Sequence, residues 1–260
     1  MHTRMRALCA TVLLPALVVA CSAAPVSTPT ASRTTSAPKT PLASSSGSRS
    51  EEELGSLARP TDETFDGACE EDASCLGLLD AGEHTSAGFQ PAVTFTVPRG
   101  WANVEDRQGI FALPWGAIPG DEIAIFGKPQ ATGNDGRIVT GADNSAAGLA
   151  AYLQARADLD VSATTTTIGG VTAHQLDIAI RPGAASTSRG CEVNVCITFA
   201  SGRAKTWDYV LGLAGTERMR VYLVDSAGAT MLIIADSLDG TSFAQITDAA
   251  DPIVMSMRFH

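Results

Sequence analysis

Residues 219–234 constrain this chain more than any other part of it. Met219, Val221 and Leu223 alternate with Arg220 and Tyr222, and beyond Asp225-Ser226-Ala227-Gly228 the chain runs through Met231, Leu232, Ile233 and Ile234. Period-two spacing on either side of a turn cluster specifies a hairpin. Its second strand is apolar on both faces, which places it in the middle of a sheet and not at an edge.

Further strands are expected around that hairpin. Val93-Thr94-Phe95-Thr96-Val97 alternates and stops at the turn Pro98-Arg99-Gly100, with a short edge strand before it at 83–87. Residues 109–113, 122–126, 171–180, 195–199 and 206–211 read as strands as well. Two stretches change to helical spacing. Leu149, Tyr152, Leu153 and Arg156 follow a capping Asp143 or Asn144, with Leu159 near the end. Phe243, Ile246, Ala250, Ile253, Val254 and Met257 follow Thr241 or Ser242, and Pro252 predicts a kink or two short helices. Strands outnumber helices, and the helices come late and apart. The fold class is therefore α+β, a single domain with an antiparallel sheet covered by a few helices.

The N-terminus reads as an address. Arg4 and Arg6 precede an apolar run of fourteen residues from Ala7 to Ala20, the layout of an export signal and too short to span about 30 Å of hydrocarbon. The next motif, Val18-Val19-Ala20-Cys21, resembles the lipobox of bacterial lipoproteins. That resemblance implies cleavage before Cys21, acyl chains on Cys21 and attachment to the extracytoplasmic face of the cell membrane. Residues 1–20 are thus the signal peptide. Residues 21–60, rich in Ser, Thr, Ala and Pro, form a disordered tether, because they bury too little to offset their ordering entropy. About 36 tether residues span roughly 30–36 Å. Residues 61–260 form the domain.

Composition excludes some partners. The chain has 18 Lys and Arg against 28 Asp and Glu, a formal charge of −10, and loss of Arg4 and Arg6 with the leader lowers it to −12. Such a balance repels nucleic acid and anionic headgroups, so attachment must rest on the acyl chains. Only three of the 18 cations are lysines, which hints at a GC-rich genome.

Once Cys9 leaves with the leader and Cys21 is lipidated, Cys69, Cys75, Cys191 and Cys196 remain. An even count outside the cell implies disulfides, with three connectivities open. Local pairs, Cys69 with Cys75 and Cys191 with Cys196, are expected. Each needs a turn, because a straight strand of this length would hold the Cα atoms near 16 Å apart, against a limit of about 7 Å. The alternative cross-links the N-terminal segment to the sheet. Five and four intervening residues fit a zinc knuckle poorly.

Val97-Pro98-Arg99-Gly100-Trp101 opening the domain and Ser256-Met257-Arg258-Phe259 closing it resemble small envelope lipoproteins of GC-rich Gram-positive bacteria. More remotely, the layout looks like PsbP-like lipoproteins of the LpqN kind. That resemblance implies a helix-sheet-helix sandwich that binds envelope partners, and it supplies no catalytic residues.

Motifs for chemistry are scarce. No G-x-S-x-G, H-E-x-x-H or phosphate loop is present, and the one S-x-x-K, Ser36 to Lys39, sits in the tether. His174 shares a strand face with Leu176, Ile178 and Ile180, whereas Asp177 points the other way. His84 is expected in an exposed loop. The acidic group Asp62, Asp66, Glu70, Glu71 and Asp72 lacks the fixed alternation of a calcium loop. Neither cofactor nor metal is expected. A recognition surface is supported by Lys205, Trp207, Tyr209 and Leu211 on one strand face and by Arg218, Arg220 and Tyr222 on the next strand. If the two faces coincide, aromatics and arginines lie together. The expected function is a noncatalytic binding or accessory module of the envelope, its ligand a protein or a cell-wall or lipid component. The alternatives are an envelope hydrolase with a site outside known motifs, and a lipid carrier.

Overall fold

The computed structural model describes residues 75–116, 120–185, 195–204, 208–238 and 240–260, all within one compact unit, Ser50–His260. The expected leader, the tether and residues 61–74 lie outside the described residues, as do Cys21, Cys69, Cys191, Lys205 and Trp207.

The first strands are β1 (Gly77–Leu78), β2 (Gly82–Thr85), β3 (Val93–Val97), β4 (Ala102–Asn103) and β5 (Glu105–Arg107). Next come β6 (Ile110–Pro114), β7 (Glu122–Gly127) and β8 (Gln130–Ala131), followed by helix α1 (Ala146–Gln154). Then β9 (Leu159–Ile168), β10 (Val171–Ile180), β11 (Cys196–Arg203), β12 (Asp208–Ala214), β13 (Arg218–Ser226) and β14 (Ala229–Ser237) lead to α2 (Phe243–Ser256) and β15 (Arg258–Phe259).

A seven-stranded antiparallel sheet in the order β5-β6-β7-β14-β13-β10-β9 organises the molecule. The doubly apolar strand of the hairpin is its fourth member. Met231, Ile233 and Ala235 enter one core with Phe111, Ile125, Tyr222 and the apolar side of α2. Leu232 and Ile234 enter a second core on the other face, with Phe126, Val221, Leu149 and Leu153 of α1, and Phe199 and Tyr209. Beside α2 the first face is also covered by the small sheet β15-β3-β2, and beside α1 the second is covered by β12-β11-β8. Each apolar residue of β14 therefore meets a filled layer, and burial of such side chains, at about 1.5–3 kcal/mol each, holds the hairpin in the centre. No helix among the described residues is long and apolar enough to cross a membrane.

Four local expectations need correction. Helix α1 is capped by Ser145, whose hydroxyl accepts from the Gly148 N–H at 3.1 Å. Asp143 and Asn144 are engaged elsewhere, accepting from the N–H groups of Ser145 and Ala131. Leu159 opens strand β9 instead of ending the helix, and the threonine run is the body of that strand, where β-branched side chains fit the pleat. Helix α2 runs through Pro252 as one segment. Pro252 lies on the exposed side of the helix, where a proline is accommodated without breaking the segment. His84 lies on β2, half-buried, its ring nitrogen 2.8 Å from the Asp80 carbonyl, and not in a loop.

The central hairpin turns on two residues, because Ser226 already pairs with Ala229. Ala227 and Gly228 have φ of +51° and +76°, the left-handed pair that a tight hairpin requires. An alanine there carries a steric cost of about 1–2 kcal/mol that asparagine tolerates better. Ala227→Asn is expected to stabilise the protein by about 0.5–1 kcal/mol, read as a higher midpoint in thermal unfolding.

Candidate functional site

One end of the large sheet gathers its turns into a cleft of about 460 Å³. Its walls are the Gln90-Pro91 segment before β3, the Gln108-Gly109 turn between β5 and β6, and Gly127-Lys128 after β7. The end of β11, Arg203 and Ala204, and the hairpin turn Ala227-Gly228-Ala229 complete it. Each wall is tied down. The buried carboxylate of Asp106 accepts from the N–H groups of Ala87, Gly88 and Phe89 at 2.5, 3.0 and 2.7 Å, fixing the segment that leads to Gln90. Gly127 donates to the Gly109 carbonyl at 3.1 Å and Lys128 to the Thr230 carbonyl at 2.9 Å. Tyr209, packed on Phe126 with ring centres 4.8 Å apart, donates to the Gly127 carbonyl at 3.1 Å. At Gly109 a side chain has no room, since a Cβ would fall 2.6 Å from the Arg203 carbonyl oxygen.

Among the described residues the two non-glycine positions with positive φ are Lys128, at +53°, and Ala227, at +51°. Both line this cleft. Left-handed backbone at an L-residue costs about 1–2 kcal/mol, and such strain gathers where a side chain must be presented in a set direction. Lys128 is exposed, and no carboxylate pairs with it among the described residues. Arg203 bonds Asp208 at 2.8 and 3.4 Å in a pair open to solvent, 78% and 67% exposed. Water screens such a pair, so it can exchange partners readily. The nearby carboxylate of Asp225 accepts from the Ala146 N–H and from the Thr230 hydroxyl at 2.6 Å.

The surface expected from sequence is not assembled in this way. Tyr209 and Tyr222 are both buried, but in the cores on opposite faces of the large sheet, so the two strand faces do not coincide. Burial raises the pKa of both phenols, and both stay neutral. Arg220 makes two bonds to Asp177, at 2.6 and 2.8 Å, and one to Asp251 at 2.8 Å, while Tyr222 donates to Asp251. Its guanidinium joins β13 and β10 to α2, and Arg218 lies over the Phe243 ring at 4.2 Å. These groups hold the helix to the sheet. The two cysteines among the described residues, Cys75 and Cys196, are both disulfide-bonded. No group of three metal-capable side chains forms among the described residues. A hydroxyl–imidazole contact, Thr94 with His260 at 3.2 Å, lies on the β15-β3-β2 sheet, outside the cleft. Sequence reading missed the cleft because its residues come from four separated turns and the end of β11, and the signals it left, Gly127-Lys128-Pro129 and Gly109, read as ordinary punctuation.

No protein-family profile and no curated protein matches the chain. Among solved structures it is similar to cyanobacterial PsbP (CyanoP) from Synechocystis sp. PCC 6803, with 11% identity over 74% of this chain and 100% of that one, and a TM-score of 0.37. It is also similar to LpqN of Mycobacterium tuberculosis, described as involved in cell envelope biogenesis, with 15% identity over 69% of this chain and 91% of that one, and a TM-score of 0.35. With TM-scores below 0.5, the architecture rests on its own strand order and packing.

The opposite end of the sheet holds titratable groups of another kind. Glu217 and Asp236 are both buried and close enough to influence each other's titration, with Asp121 and Glu122 near Asp236. Glu217 also accepts from the Ala214 N–H at 2.6 Å. Burial first, and the Glu217 charge second, push the Asp236 carboxyl up to about 9, and burial raises Glu217 as well. Asp236 therefore keeps its proton when folded and loses it near pH 4 when unfolded. Between those values the unfolded chain binds fewer protons, so stability falls as pH rises. Asp236→Asn, which keeps a donor toward Glu217 and cannot ionise, is expected to match the wild type near pH 4 and to exceed it at pH 8. The gain is roughly 2–4 °C in Tm per kcal/mol recovered, measured by thermal unfolding at the two pH values.

Proposed function

We propose that this protein is a noncatalytic binding or accessory module of the bacterial cell envelope, held on the extracytoplasmic face by acyl chains on Cys21, with the cleft at the sheet end as its ligand site. The observation that carries the reading is the cleft itself: four turns and the end of β11 brought together, both left-handed L-residues among the described residues, and the polar side chains of Gln90, Gln108, Lys128 and Arg203 in its lining. Among the described residues no nucleophile paired with a base lines it, unlike a hydrolase site. Its walls mix Gln90, Gln108, Lys128 and Arg203 with glycine, alanine and proline, and offer no large apolar side chains to grip acyl chains, so a carrier of lipid tails is disfavoured. The lipobox-like Val18-Val19-Ala20-Cys21 supports the anchor, and Cys69 with Cys75 and Cys191 with Cys196 remain the proposed disulfide pairs.

A ligand that binds the folded state raises its unfolding temperature, and the rise grows with the logarithm of ligand concentration once binding saturates. Cell-wall and lipid fractions of envelope extract are expected to raise the Tm of the wild type and not that of Gln108→Trp, whose exposed position lets a bulky ring occlude the cleft. Equal shifts in both proteins would move the site elsewhere, and labelling by a serine-hydrolase probe would replace the binding reading with an enzymatic one. For the anchor, a metabolic fatty-acid label should enter the wild type and not Cys21→Ser, and the variant should fractionate as a soluble folded protein. Retention of Cys21→Ser in the membrane at low and high salt, with no label in the wild type, would refute lipidation.

A further inference from the structure

The chain carries a formal charge of −10, yet the described residues lining the cleft include Lys128 and Arg203 and no Asp or Glu. The described lining is thus cationic in an acidic molecule, with Asp208 paired to Arg203 and Asp225 on the adjoining hollow. The nearest carboxylates are occupied: Asp225 by a backbone N–H and a threonine hydroxyl, Asp208 by Arg203 itself. Lys128 stands without a carboxylate partner among the described residues and is held in a left-handed conformation that glycine would adopt without strain. A long cationic side chain kept at such a position, in a cleft whose described lining holds no carboxylate, is placed to meet negative charge from outside. The adjoining hollow along Pro129, Gln130 and Asn144 shares Lys128 and Arg203, so the two cations border a continuous polar surface.

Resting on the reading of the cleft as a ligand site, we infer that it takes the anionic oxygens of its ligand, a phosphate or carboxylate group, on Lys128, with Arg203 as the second contact. Approach of the anion frees Arg203 from Asp208, and the guanidinium then donates to the ligand in place of that side chain. The glutamine amides at the rim, Gln90 and Gln108, are donors and acceptors for hydroxyl groups next to the charge. An acidic protein repels anions at long range, so contact here depends on short-range pairing and weakens in salt.

The test is a titration of the isotope-labelled full chain, followed by NMR at constant ionic strength. Sodium phosphate and sodium acetate are the anionic arms, chloride is the control and N-acetylglucosamine the neutral arm. Saturable shifts at the amides of Gly109, Lys128, Ala204 and Gly228 are expected with phosphate or acetate, and the stronger of the two identifies the charged group. Lys128→Gln should weaken that association about threefold or more. Lys128→Gly should weaken it as much while raising Tm, because it relieves the strain and still folds. Anion shifts no larger than those with chloride, or equal affinity in both variants, would overturn the inference. If the neutral sugar alone shifts these amides, the anion assignment fails and the cleft remains a ligand site. If no arm shifts them and the Gln108→Trp comparison is silent, both readings fail.

Discussion

Strand β14 has apolar side chains on both faces, and neither face can be left in water without losing a large share of the driving force for folding. A helix alone is too narrow to cover a seven-stranded sheet, so each face is closed by one helix and one three-stranded sheet. Everything else in the domain follows from this double cover. The small sheets sit where the helices do not reach, and the chain must pass from one layer to the next at the ends of the large sheet, which is where its turns collect.

The two ends differ in chemistry. At the hairpin end, the turns before β3, between β5 and β6, after β7 and between β13 and β14 meet the end of β11 around a cleft with positive charge. At the other end, Glu217 and Asp236 lie buried beside Asp121 and Glu122, and burial raises both carboxyls. Burying like charges is tolerated because one carboxyl is neutral, and the cost is stability lost progressively as pH rises from about 4 toward about 9.

Polar clusters between layers serve orientation. Arg220 with Asp177, Asp251 and Tyr222 fixes α2 on one face, and Arg156 with Asp158, Tyr152 and the Thr198 carbonyl fixes the end of α1 on the other. These bonds are directional where the apolar contacts are not, so they select one placement of each helix. Residues of the types that favour interfaces, arginine and tyrosine, are in this way engaged inside the domain, and an inventory of residue types could not separate the two uses.

What the sequence determined by itself is what depends on near neighbours: the central hairpin from its unbroken apolar strand, strands β3, β6, β7 and β10 from period-two spacing, both helices from their apolar stripes, and the α+β class. It failed where local signals compete, as at Ser145, where three consecutive capping residues follow Ala142, and at β9, where a polar threonine strand has no apolar alternation to mark it. Only the tertiary structure decided which strand faces coincide, putting Tyr209 and Tyr222 in opposite cores, and which turns converge on Lys128 and Arg203. Those pairings join residues far apart along the chain, fixed by the order of seven strands and by which layer covers each face. Contacts of that range depend on the packing of the whole sheet, and no spacing within one segment encodes them.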